Sequence, residues 1–194
     1  MQQDWRDLSY LLHGNARQRQ AHRALHDLGI FTTLREFDPV LVSTICLGID
    51  VPDSDLDVVC EIDDPQRFAA VVESAFSHHE AFELCHRTDR TLPAVVAQFR
   101  YAGFTIEIFG EPQPVERQNA YRHHVVHARL LAIGGEAMRR AIQRLKASGL
   151  KTEAAFATHL GLGGDPYETM LALSDLSDDA LREMMRRRIA EPGS

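Results

Sequence analysis

The sequence changes its periodicity at Val40 and again beyond Pro114, and those changes confine the fold. From Val40 to Phe109 the apolar residues fall in short, largely β-branched runs separated by turn residues, the pattern of strands. Beyond Glu111-Pro112-Gln113-Pro114 nearly every stretch carries apolar residues three and four apart, the helical spacing. Such a chain segregates a sheet from a helical half, an α+β arrangement. Its 194 residues suit one compact unit. Within it, 1–111 is expected to form a sheet domain with an N-terminal helix, and 112–194 a helical region packed on it.

In more detail, Trp5 to Leu28 reads as one helix closed by Gly29, with Trp5 as a packing residue and a short helix over Thr32–Glu36 following. Strands are expected at Val40–Leu47, Leu56–Ile62, Phe82–Arg87, Ala94–Tyr101 and Phe104–Phe109, forming a small mixed sheet of four or five strands. Asp64-Pro65 opens a helix between the second and third of these. Helices are expected over Val115–Ile133, Glu136–Ser148, Glu153–Leu160, Tyr167–Leu173 and Asp178–Ile189. The glycines at 161, 163 and 164 lack the lysine and hydroxyl ending of a phosphate loop and read as a helix-to-helix turn. Arg186-Arg187-Arg188 reads as a solvated helix face, and Pro192-Gly193-Ser194 as a frayed end.

Composition narrows the classes of function. Lys and Arg total 21 against 28 Asp and Glu, a net charge of -7, the wrong sign for an extended nucleic-acid coat. No apolar stretch approaches the ~20 residues of a membrane helix. The polar opening Asp4-Trp5-Arg6-Asp7 lacks a signal-peptide core, so a cytoplasmic protein is expected. Cys46, Cys60 and Cys85 match no zinc-ligand spacing; each sits in an apolar stretch read as strand, and all three are expected as buried free thiols.

The chemistry concentrates in Ser54-Asp55-Leu56-Asp57-Val58. Asp55 and Asp57, two apart at the head of a strand, leave the same face. Two carboxylates so close repel unless they are solvated or bridged by a cation, and oxygen-only ligands suit Mg²⁺ or Mn²⁺. A third acid, Glu107, shares its face with Thr105 and Phe109. If the two strands are neighbours, Glu107 completes a triad able to hold one or two metal ions beside phosphate oxygens.

Ser43-Thr44 at a strand end, the D-x-D pair a dozen residues on and an acid on a later strand together resemble the nucleotidyltransferase superfamily of the DNA polymerase beta type. Ser43 stands where that superfamily usually has Gly, and Glu107 where Asp is commoner. Over nearly its whole length the chain more closely resembles a bacterial family of unknown function, DUF4269, grouped with that superfamily. The residues carrying this likeness are Ser54-Asp55-Leu56-Asp57, Ile106-Glu107-Ile108-Phe109-Gly110, Gln118-Asn119-Ala120-Tyr121-Arg122-His123, Leu145-Lys146, Gly149 to Ala157 and Gly164-Asp165-Pro166-Tyr167.

The resemblance implies a nucleotidyltransferase-like fold and transfer of a nucleoside monophosphate from a nucleoside triphosphate to an unknown hydroxyl acceptor. Asp55, Asp57 and Glu107 would be catalytic and hold Mg²⁺ or Mn²⁺. Ser43, Thr44, Ser54, Arg122 and Lys151 would contact the nucleotide. Two alternatives are a non-catalytic ligand- or protein-binding module and, further off, a metal-dependent phosphohydrolase using His123 or His127.

In the helical half, His123 and His127 share a helix face with His124 adjacent. Without a nearby Cys they do not suit structural zinc, and they read as surface or substrate-facing groups. Thr152 is expected to cap the helix after it, with Lys151 beside the free amides.

Overall fold

A computed structural model describes residues 3–89 and 91–190, with the side chains of 188–190 left aside. The expected frayed end at Pro192–Ser194, and the apolar contact expected of Ile189, lie outside what is described. The chain divides into two units. One runs to Gly48 and from Pro52 to Tyr121; the other comprises Ile49–Val51 and the chain from Arg122 on. Among the described residues no helix is long and apolar enough to cross a membrane.

The first unit is built on a five-stranded sheet of order β1-β2-β5-β4-β3. Its strands are β1 (Val40–Leu41), β2 (Leu56–Glu61), β3 (Glu80–Arg87), β4 (Ala94–Tyr101) and β5 (Phe104–Glu111). β2 and β5 run parallel, and the other neighbouring pairs are antiparallel, so the sheet is mixed as expected. Leu56, Val58 and Cys60 alternate with Asp57 along β2, and Ile106 and Ile108 with Glu107 along β5. This period of two buries one face under α3 (Pro65–Phe76), which Asp64 caps at the amides of Gln66 and Arg67. Phe68 of α3 meets Phe37 edge-on at 4.9 Å, and Phe76 stacks on Phe99 at 5.3 Å. Gly110 is obligatory in this core: a Cβ there would stand 2.7 Å from the Phe68 ring and 2.9 Å from Ile62.

Three expectations need correcting here. The N-terminal helix is broken: Leu8–His13 is a 3-10 turn, and α1 (Ala16–Leu28) starts afresh after a capping box between Asn15 and Gln18, with the short α2 (Ile30–Thr33) following Gly29. The strand expected over Val40–Leu47 stops at Leu41. From Ser43 the amides of Cys46, Leu47 and Gly48 bond back three residues, to Ser43, Thr44 and Ile45, making a short helical turn. Cys85 is exposed, because β3 is an edge strand. Cys46 and Cys60 are buried, and burial pushes the Cys46 thiol up to about 12 and the Cys60 thiol higher still. Trp5 is buried, as its packing role required.

The second unit is helical. α4 (Asn119–Ala147) begins in the first unit and is interrupted at Gly135, whose φ of 63° and ψ of -158° end one helix and start another. That break matches the two helices expected on either side of it. α5 (Thr152–His159), α6 (Pro166–Ser174) and α7 (Asp178–Ala190) follow. Arg186 and Arg187 of α7 pair with Glu183, a solvated face as expected.

Candidate active site on the sheet

Two of the three acids expected to act together, Asp57 and Glu107, stand on neighbouring strands, and Asp55 immediately precedes the first of them. Asp57 on β2 is in direct register with Glu107 on β5, across a parallel ladder that begins at Leu56 and Ile106. On its other side Glu107 is in register with Gln98 of β4, and Thr105 with Arg100. The open face of the sheet therefore carries one polar row of Asp57, Glu107, Gln98 and Glu83, the last paired with Gln98. Gln98 and Arg100 were not singled out from the sequence. Their alternation with Ala97 and Phe99 shows that they face away from the core, but only strand pairing reveals that they flank an acid.

Burial grades the three carboxylates. Asp55 is exposed, while Asp57 and Glu107 are half-buried. The carboxyl of Glu107 is held above the usual carboxylate range, first by burial and then by the charge of Asp55. Asp55 and Glu107 thus sense one another electrostatically. Among the described residues no three His, Cys, Asp or Glu side chains converge closely enough to enclose a metal ion. What the acids share is a strand register and a face. Their chemistry, oxygen donors alone on a half-open surface, fits Mg²⁺ or Mn²⁺ better than a softer metal.

The corner that precedes β2 is tied to the acids by hydrogen bonds. Ser43 is fully buried; its hydroxyl donates to the carbonyl of Asp55 at 2.5 Å and accepts from the amide of Ile45 at 3.2 Å. It thereby starts the helical turn and fixes the chain at Asp55 in one move. That engages the Ser43 hydroxyl within the fold on both its donor and acceptor sides. Thr44 donates to the hydroxyl of Ser54 at 3.3 Å, and the pair sits just ahead of Asp55.

The helical unit departs from expectation. Arg122 donates to the Leu171 carbonyl, to Ser174 Oγ and to Asp175 at 2.7 Å, so its guanidinium fastens the end of α6. Lys151 is exposed and is itself the N-cap of α5; Thr152 lies inside the helix and makes no cap. Both residues belong to the second unit, whereas Asp55, Asp57 and Glu107 belong to the first. His123, His124 and His127 are buried rather than on the surface, because they share the face of α4 that carries Val126, Leu130 and Leu131 inward. His123 lies 3.1 Å from the Tyr167 carbonyl and 3.5 Å from Glu153, and the His127 ring stacks on Phe156 at 4.3 Å.

This mixed sheet with flanking helices and a helical C-terminal half is a nucleotidyltransferase-like fold. It resembles the structure of the GLD-2/RNP-8 complex at a TM-score of 0.50 and 12% identity, covering 92% of this chain and 79% of that one. It also resembles the polymerase core of TRAMP, described as an RNA surveillance complex, at 0.50 and 11%, covering 94% of this chain. The chain spans 60% of the length of that second structure. At such identities the likeness concerns the fold alone. Residues 23–173 match the family model for the domain of unknown function DUF4269, and the chain belongs to that family. No curated protein gives a significant match.

Proposed function

We propose that the protein is a metal-dependent nucleotidyltransferase, moving a nucleoside monophosphate from a nucleoside triphosphate to a hydroxyl acceptor. The observation that carries this reading is the register of Asp57 with Glu107 on parallel strands, with Asp55 close enough to raise the Glu107 carboxyl. The nucleotidyltransferase-like fold supports it.

In this reading Asp55 and Asp57, with Glu107, would hold Mg²⁺ or Mn²⁺, which when bound offsets charge on the phosphates and on the leaving pyrophosphate. Thr44 and Ser54 hydrogen-bond the terminal phosphates, and Ser43 keeps Asp55 in place from below. Glu107 accepts the proton of the attacking hydroxyl. Three free thiols suit a reducing, cytoplasmic setting.

Replacing Asp55→Asn together with Asp57→Asn should abolish Mn²⁺-dependent binding of a nonhydrolysable triphosphate in isothermal titration calorimetry, with the circular dichroism spectrum retained. Unchanged binding would overturn the proposal. A second reading, a binding module without catalysis, is favoured by the lack of a converging acid trio among the described residues. Release of pyrophosphate on incubation with nucleoside triphosphates and Mn²⁺ separates the two. The phosphohydrolase reading drew on His123 or His127, and it loses support because both rings are buried in the helical unit.

A further inference from the structure

Resting on that reading, we infer that the acceptor is a small, uncharged polyhydroxylated molecule of the sugar class, bound in a cleft that adjoins the acids on the sheet unit. The cleft has a volume of about 410 Å³ and is lined by Arg17, Asp53, Ser54, Arg100, Tyr101 and Thr105, among others. That volume takes a small molecule and is too small for a folded or duplex partner. Two of its walls lead directly to the carboxylates. Ser54 precedes Asp55, and Thr105 shares the face of Glu107 two residues on, about 7 Å along the strand. A hydroxyl of a molecule seated here comes within reach of Glu107.

The lining sets the chemistry. Arg17 and Arg100 are balanced by Asp53 and Glu80, and Arg100 already lies 3.5 Å from Glu80. Arg17 lies 4.2 Å over the Phe104 ring and donates to the Pro52 carbonyl at 3.3 Å, so its guanidinium is held in one plane with most of its N–H groups unspent. Asp53, Tyr101 and Thr105 make no side-chain hydrogen bond to other described residues. Donors and acceptors thus alternate around the cleft with no net charge. A polyol, whose every hydroxyl both donates and accepts, matches that mixture. A nucleic-acid backbone would meet Asp53 and Glu80 with no basic excess to offset them.

The transfer balances simply. The acceptor oxygen forms a bond to the α-phosphorus as the bond from that phosphorus to the bridging oxygen breaks. Pyrophosphate leaves with the electron pair, and the hydroxyl proton passes to Glu107.

The test titrates the full-length, ¹⁵N-labelled protein with a millimolar mixture of neutral monosaccharides and myo-inositol, and separately with single-stranded oligoadenylate. The sugar mixture should shift the amides of Asp53, Ser54, Tyr101 and Thr105, equally in the Asp55→Asn/Asp57→Asn variant. Asp53→Asn with Thr105→Val should weaken that binding at least tenfold. With ATP and Mn²⁺, the mixture should raise pyrophosphate release at least tenfold. Absence of those amide shifts, shifts caused by oligoadenylate instead, or binding without stimulated release would each overturn the acceptor assignment. Failure of the nucleotidyltransfer reading is read separately, as absence of amide shifts at Thr44 and Ser54 when a nonhydrolysable triphosphate and Mn²⁺ are added.

Discussion

The two units each gather three ionisable groups, and they treat them in opposite ways. On the sheet, Asp55 is exposed and Asp57 and Glu107 are half-buried. In the helical unit, His123, His124 and His127 are all buried, with His127 enclosed against Phe156. Like charges set across neighbouring strands destabilise a sheet, whereas an imidazole ring stacked on an aromatic one, as His127 is on Phe156, adds packing to a core. The acids cost the fold something that a bound cation would return; the histidines are part of what holds their unit together. Position relative to the apolar face decides which role a cluster can take.

The widest break in this comparison should come from Glu107→Gln. With Glu107 in its proposed role as proton acceptor, its loss is expected to lower pyrophosphate release by about 10²–10⁴-fold. The same change removes one of two carboxylates in register, so resistance to urea should hold or rise. A variant that unfolds more readily than the wild type would make Glu107 a structural residue and erase the contrast.

In the helical unit the matching truncation acts on stability. Phe156 is fully buried and carries the stacked His127 ring. Phe156→Ala should cost about 3–5 kcal/mol, read as a lower urea midpoint with helical signal lost first. A loss below about 1 kcal/mol would mean that the histidines do not sit in a packed core.

The third effect is smaller and depends on pH. The native His127 imidazole titrates well below the ordinary histidine range, first through burial and then through the charges of His123, His124 and Lys146. Glu153 faces His123, the nearer neighbour. Well above about pH 6.5 the ring is neutral whether folded or unfolded, and it contributes no slope. Below that, the unfolded chain binds a proton that the native site refuses, so stability falls as pH falls, by up to about 1.4 kcal/mol per unit from this group. The difference between wild type and His127→Leu, followed by chemical denaturation between about pH 7.5 and about pH 5.5 (roughly one unit either side of an ordinary histidine), isolates it. Equal slopes would show that His127 protonates freely in the fold.

Much of the sheet unit was legible because period-two burial writes itself into β2, β4 and β5, whose residues alternate as Leu56, Val58 and Ile106, Ile108 require. The adjacency of Asp57 and Glu107 was legible only as a condition, since register is a property of two strands and neither states its partner. Ser43 is ambiguous in sequence for a different reason. A serine at a strand end reads the same whether its hydroxyl meets a ligand or, as here, the Asp55 carbonyl. The histidine spacing fits surface or substrate-facing groups as well as buried ones, because it marks a helix face without saying which face turns inward. Gln98 and Arg100 gave only an outward alternation, which polar residues on any open sheet share.

The smallest effect concerns the hairpin that forms one wall of the cleft beside the acids. Ala102 and Gly103 join β4 to β5, with φ of 49° and 82°, and Tyr101 pairs with Phe104 across them. Two central residues with positive φ make the turn whose twist suits a two-residue hairpin, and asparagine ahead of glycine satisfies it best. Alanine there carries a left-handed penalty of about 1 kcal/mol. The side chain of residue 102 is exposed, while the Ala102 carbonyl accepts from Gln20 at 3.4 Å, a bond that a substitution retains. Ala102→Asn should therefore raise stability by about 0.5 kcal/mol, a gain of about 1–2 °C in Tm. Because the backbone and the acids stay where they are, triphosphate binding should not change. A gain in stability accompanied by lost pyrophosphate release would tie the strained turn to the chemistry of the sheet, and the open unit would then differ from the helical one in storing strain as well as charge.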